Sequence, residues 1–291
     1  MQIAYHMGAN CTDEDRLLKS ILKNNAQLSE RGIKAPGPGR YRALIRETIQ
    51  QLDGATPDPD ARQVLLDAIV DAEDAKRLVM SNANFICVPN RIFDHGVFYE
   101  QIAFKLRGLI SLFPDDEIEL FLGLRDPATF LPATFAEAKS DTLADFLQDT
   151  PLGDIRWSDV IRRIRDTAPS AKLTVWCNED TPLIWGEVMR RICGLAADDP
   201  VDGALDLLAT IMTPDGMSRL TAYLQKHPPK SPAQERKIVM AFLDKYALPD
   251  ALEEVIDLPG LDAEIVDALS AAYDADVNLI ADMTDVTFIA P

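Results

Sequence analysis

The chain lacks most of the features that would identify an enzyme at sight. Its 291 residues include three His and four Cys. Cys11, Cys87, Cys177 and Cys193 form no C-x-x-C pair and have no zinc-like spacing. No disulfide framework or metal centre is therefore expected, and three of the four lie among apolar residues, as packed thiols do. There is no apolar run near 18 residues and no leader-like opening, so no membrane span is expected and a reduced, cytoplasmic protein is. An intact Walker A loop, G-x-G-x-x-G, G-x-S-x-G and H-E-x-x-H are all missing.

Positive charge is scarce too. Lys and Arg number 29 against 47 Asp and Glu, a formal charge of −18. Long-range repulsion at that charge opposes nucleic acids and anionic membranes, so the expected partner is a small molecule or a protein. From Ala247 to Pro291 there is no Lys or Arg, but there are eleven acids: Asp250, Glu253, Glu254, Asp257, Asp262, Glu264, Asp267, Asp274, Asp276, Asp282 and Asp285. They alternate with apolar residues, so the stretch reads as acidic helices able to cover a basic face.

The patterns that are present alternate strand with helix. Ile3–Met7 reads as a buried strand running into Gly8-Ala9-Asn10-Cys11-Thr12. Thr12 stands as an N-cap with Asp15 three residues on, and apolar spacing carries a helix to Gly32. Pro36-Gly37-Pro38-Gly39 is a loop, followed by Arg40, Arg42 and Arg46 on a helix. A helix is expected from Pro59 to Ala75, a strand at Arg77–Ser81 and a helix at Tyr99–Phe113. A third strand follows at Ile118–Leu124, and helices at Phe130–Lys139 and Trp157–Ala168. The fourth strand is Leu173–Trp176, before a helix at Ile184–Cys193. Beyond Asp198 the pattern gives helices broken at Pro214, His227-Pro228-Pro229 and Pro259, and no strand. The expected fold is a three-layer α/β sandwich on a mostly parallel sheet, residues 1–197, with a helical acidic extension at 198–291 packed on the same domain.

Several segments in order resemble the P-loop sulfotransferases of bacteria. Tyr5-His6-Met7-Gly8-Ala9-Asn10-Cys11-Thr12 is similar to their opening strand and Gly-x-His-Lys-Thr-Gly-Thr-Thr loop. Leu28–Ile33 fits their Leu-x-x-x-Gly-Ile pattern. Val79-Met80-Ser81 resembles the strand that ends in Ser-x-Glu, and Leu124-Arg125-Asp126-Pro127 their Arg-x-Pro element. Val175–Glu179 with Trp185 resembles the last core strand and helix, and Tyr273-Asp274-Ala275-Asp276 the C-terminus. The resemblance implies a P-loop-type fold and a site for 3′-phosphoadenosine 5′-phosphosulfate, with Gly8, Thr12, Ser81 and Arg125 as contacts and Arg125 on the 3′-phosphate.

The same alignment removes the donor chemistry. Cys11 stands for the loop Lys, Asp13 for a Gly, Glu14 and Asp15 for two Thr, Ala83 for the Glu of Ser-x-Glu, and Ala133 for a Ser. A helix N-terminus favours an anion by about 0.3–1 kcal/mol. One carboxylate roughly 6 Å from a phosphate charge opposes it by about 3 kcal/mol at an effective dielectric near 20. The leading expectation is therefore a sulfotransferase-like binding or regulatory module, a pseudoenzyme without donor binding. The alternative is an active transferase with a non-standard anion site made by Arg125 and the Arg40, Arg42 and Arg46 cluster. His6 is its candidate base, against the ordinary reading of a packed strand histidine. Arg125 paired with Asp126, Asp94 acting with His95, and a cation held by Asp13, Glu14 and Asp15 are further candidates.

Overall fold

The computed structural model describes residues 1–70, 74–252, 256 and 258–291. Asp71–Glu73 of the expected Pro59–Ala75 helix and Glu253, Glu254 and Asp257 of the acidic stretch lie outside them.

Six strands form one sheet: β1 (Gln2–His6), β2 (Ile33–Lys34), β3 (Arg77–Ser81), β4 (Glu117–Leu124), β5 (Lys172–Cys177) and β6 (Thr287–Ile289). Their order is β2-β3-β1-β4-β5-β6 and every pairing is parallel. The expected parallel sheet is present, and it is wholly parallel. Two strands escaped the sequence pattern. β2 and β6 have two and three residues, too few for periodicity to register. β6 also corrects the reading of a purely helical C-terminal region.

The helices are α1 (Arg16–Leu22), α2 (Asn25–Glu30), α3 (Arg42–Leu52), α4 (Ala61–Ile69), α5 (Ile102–Ser111), α6 (Pro127–Glu137), α7 (Leu143–Leu147), α8 (Trp157–Thr167), α9 (Thr181–Cys193), α10 (Leu208–Ile211), α11 (Pro214–Lys226), α12 (Pro232–Tyr246), α13 (Pro249–Leu252) and α14 (Ala263–Ala281). Parallel strands buried on both faces need cover on both, and alternate residues of β1 show it. Ile3, Tyr5 and Met7 pack with α3, α5, α8 and α14 through Ile45, Leu106, Ile161 and Tyr273. Ala4 faces the other way, with Leu17 and Ile21 of α1 and Val188 and Ile192 of α9. This gives three layers.

The region from 198 onward holds two different packings. Leu208, Met212, Leu220 and Val239 make a small separate core for α10–α12, tied to α9 by Arg236 on Glu187 at 2.7 Å. The helix α14, with Leu269, Tyr273 and Ile280, belongs to the main core. Acids in and beside it serve that packing. Asp276 accepts the Ser158 N–H at the start of α8 (2.9 Å), Asp285 accepts from Arg165 (2.8 Å), and Asp262 caps α14 itself.

Candidate functional site

In a parallel sheet the loops after each strand gather at the C-terminal edge, where α/β folds place ligands. β1 lies between β3 and β4, so its loop sits at the middle of that edge. Register sets the first contact. His6 is level with Ser81 across β1 and β3, and its Nδ1 shares a hydrogen bond with Ser81 Oγ at 2.8 Å. The ring stacks on Trp176 with centroids 5.7 Å apart. Gly123, level with Trp176, leaves room for that indole, since a Cβ there would come 3.1 Å from its Nε1. Burial pushes the His6 pKa down, outweighing the upward pull of Asp13 and Asp15, so His6 is a neutral, packed imidazole.

Ser81 is a junction. Its N–H donates to Tyr41 Oη (2.9 Å), and its carbonyl accepts from Tyr41 Oη (2.7 Å) and from Arg42 Nε (3.0 Å) and Nη2 (2.9 Å). Tyr41 is fully buried. Arg42 continues outward to Asp15, donating through Nη1 at 2.9 Å and Nη2 at 2.5 Å. This bidentate fork holds the Asp15 carboxyl below its ordinary range. His6, Ser81, Tyr41, Arg42 and Asp15 thus form one polar chain from core to surface.

The loop after β1 is pinned from inside. Gly8 has φ +84°, and a Cβ there would come 2.9 Å from Ala83 Cα. The Asn10 N–H donates to Tyr99 Oη (3.1 Å), which donates to Asn10 Oδ1 (2.7 Å). The Asn10 amide donates to Asn84 Oδ1 (2.9 Å) and the Cys87 carbonyl (3.3 Å). Tyr99 itself has φ +52°, an unusual conformation for a bulky residue, and is held by Arg163 donating to the Tyr99 carbonyl at 2.9 Å. Arg125 donates to the Cys11 carbonyl and, at 3.0 Å, to Thr129 Oγ1.

Several expectations change here. Thr12 does not cap α1: its hydroxyl donates to the Ala9 carbonyl at 2.8 Å, while Asp13 accepts the Leu17 N–H at 3.1 Å. Cys11, Glu14 and Asp15 all have positive φ, so the helix starts only at Arg16. Asp126 turns away from Arg125, capping α6 through Ala128 N–H and accepting from Ser270. Asp94 accepts from Arg91 and Gln101, while exposed His95 is held by its N–H on Gln148, so the two do not act as a pair. Asp13, Glu14 and Asp15 point to three separate partners, Leu17, Arg16 and Arg42. Among the described residues no group of His, Cys, Asp and Glu is placed to hold a metal ion. Burial, then Glu137, push the Cys11 thiol to about 12, so it is no thiolate nucleophile.

Of the arginines read from the sequence, Arg42 and Arg46 come together along one groove and Arg40 does not line it. Tyr41, Asn10, Tyr99 and Lys105 were missed. The first three matter through a partner far off in sequence and Lys105 through the groove it lines, and no local motif marks them.

Family models, curated proteins and solved structures give no match to this chain.

Proposed function

We propose that the chain is a sulfotransferase-like α/β protein in which the loop after β1 has lost the sulfate-donor nucleotide, and that it works as a binding module. The segments carrying the resemblance support the likeness: Ser81 ends β3, and Gly8–Thr12, Arg125 and Glu179 follow β1, β4 and β5, all at the C-terminal edge of the sheet. The observation that carries the loss is the internal closure of the loop. Arg42 is clamped on Asp15, Arg125 donates to the Cys11 carbonyl, and Asn10 is fixed by Tyr99 and Asn84. A phosphate site needs converging free donors and a cation. Here these groups bond to one another, and the loop adds acids.

In this reading His6 is a structural histidine. The active-transferase alternative would have to use it as a base, yet its Nδ1 is occupied by Ser81 and its neutral form lies buried.

Calorimetric titration with 3′-phosphoadenosine 5′-phosphate tests the reading. No binding is expected at ~100 μM, and none is gained by Cys11→Lys alone. Binding tighter than ~100 μM, about −5.5 kcal/mol, overturns it.

A further inference from the structure

A groove of about 200 Å³ opens between α3, α5 and the loop after β3. Among the described residues, Arg42, Arg46 and Lys105 line it, and no Asp or Glu does. In a chain with 47 acids and 29 bases, three cations without a lining acid run against composition. Arg42 is committed to Asp15 and the Ser81 carbonyl, and Arg46 meets Glu47 in an exposed pair at 3.1 Å, which screening makes weak. Lys105 is half-buried. Among the described residues its contact is the neighbouring Phe104 ring, 5.7 Å from Nζ, with no carboxylate in ion-pair range. Burial, then the Arg91 charge, push its pKa down, as befits a cation short of a counter-ion.

Two amides add donors. Asn84 Oδ1 accepts from Asn10, and Asn82 Oδ1 accepts the Asn84 N–H at 3.1 Å. Both side chains use their acceptor within the protein and retain an NH₂ for the groove. The remaining wall is apolar, from Ile45, Ile49, Phe85 and Val88. The volume equals roughly seven waters' share of liquid, room for an oxyanion and one small apolar group, and lies below the about 300 Å³ where drug-sized sites begin.

We infer that this groove binds a small organic phosphomonoester, its oxyanion against Arg46, Lys105 and the Asn82 and Asn84 amides, with Arg42, fixed on Asp15 and Ser81, adding charge from the wall, and its apolar group on Phe85 and Val88. A phosphomonoester offers close to two negative charges and three acceptor oxygens to a wall that supplies only donors. The assignment gives the binding-module reading a place and a ligand class, and rests on that reading.

The test is calorimetry with phenyl phosphate as probe, alongside inorganic phosphate and 3′-phosphoadenosine 5′-phosphate, on the wild type, Lys105→Met and Arg46→Met. Phenyl phosphate should bind with Kd near or below about 1 mM, about −4 kcal/mol. Lys105→Met should weaken it about tenfold and Arg46→Met about threefold, with inorganic phosphate several-fold weaker than the ester. A titration followed by ¹H–¹⁵N NMR should shift the side-chain amide signals of Asn82 and Asn84, a readout independent of any variant's folding. Absence of those shifts, affinity unchanged within about twofold in both variants, or equal binding of inorganic phosphate overturns the assignment. Nucleotide binding tighter than ~100 μM overturns the binding-module reading whatever Lys105→Met does, whereas the groove assignment fails on the phenyl phosphate arms, so the two failures are distinguishable.

Discussion

Tyr41→Phe removes one oxygen and keeps the ring. Because Tyr41 is fully buried, its packing beside Phe85, with centroids 6.3 Å apart, survives the change. The two partners of the lost oxygen do not fare equally. The Ser81 carbonyl keeps Arg42 Nε and Nη2. The Ser81 N–H loses its acceptor at the buried end of β3. An unsatisfied buried donor costs about 1–3 kcal/mol, so about 2 kcal/mol is expected. With an unfolding entropy near 2.1 cal/mol/K per residue, 291 residues give about 0.6 kcal/mol/K, and Tm should fall by about 3 °C. Scanning calorimetry measures this directly. Arg42→Met is the contrast, since it leaves the Ser81 N–H satisfied and Tyr41 still on the carbonyl. A Tm for Tyr41→Phe within 1 °C of wild type would refute the claim that this hydroxyl holds the end of β3; 1 °C is about 0.6 kcal/mol, below the smallest expected cost.

Gly8→Ala should lose at least about 2 kcal/mol in urea unfolding, from left-handed backbone in an L-residue and the 2.9 Å approach to Ala83 Cα; Gly39→Ala, with nothing within 4 Å, should stay within about 0.5 kcal/mol. Tyr99→Phe strips the hydroxyl from both Asn10 bonds and should cost about 1–3 kcal/mol, with faster amide exchange in residues 8–12. The folded pKa of His6 lies below its unfolded value of about 6.5, so below that pH the unfolded chain binds the proton first. Stability contributed by neutral His6 is full above about pH 6.5 and falls as pH drops through that value. His6→Gln should flatten that slope, and an unchanged slope from pH 7 to 5 would count against a buried neutral imidazole.

The sequence was most readable where one physical signal acts alone. β3 is a continuous apolar run between turn residues, and its expected limits, Arg77 and Ser81, are those observed. β4 and β5 differ from expectation by one or two residues at their ends. Reading failed where local and tertiary preferences compete. Thr12 and Asp15 have the spacing of a capping box, yet three non-glycine residues with positive φ wind the loop so that Asp13 meets the helix instead. Local spacing had no access to that winding, because it is held by Tyr99 and Arg125, 89 and 114 residues away. That Asp13, Glu14 and Asp15 oppose an approaching anion was legible from charge alone. Which cation would answer each acid was not.

Those answers give the loop after β1 a physical logic. Asp15 serves Arg42 as an internal counter-ion, fixing a guanidinium that also lines the groove. It therefore competes with any external anion that approaches from the groove side. Asp15→Asn keeps the shape and removes one charge. At about 7 Å from a bound phosphate, that charge opposes it by about 0.6 kcal/mol in bulk water and about 2.4 kcal/mol at an effective dielectric near 20. Asp15 is 41% exposed, which favours the lower end. The variant should accordingly bind phenyl phosphate about three- to tenfold more tightly, with the gain shrinking as salt is raised. Its binding of 3′-phosphoadenosine 5′-phosphate should stay absent at ~100 μM, because Asp13, Glu14 and the Asn10–Tyr99 clasp still close the loop. Weaker binding of phenyl phosphate would mean that Asp15 positions Arg42 more than it competes for it. Nucleotide binding in that variant would mean that one carboxylate, rather than the closure of the whole loop, keeps the nucleotide out.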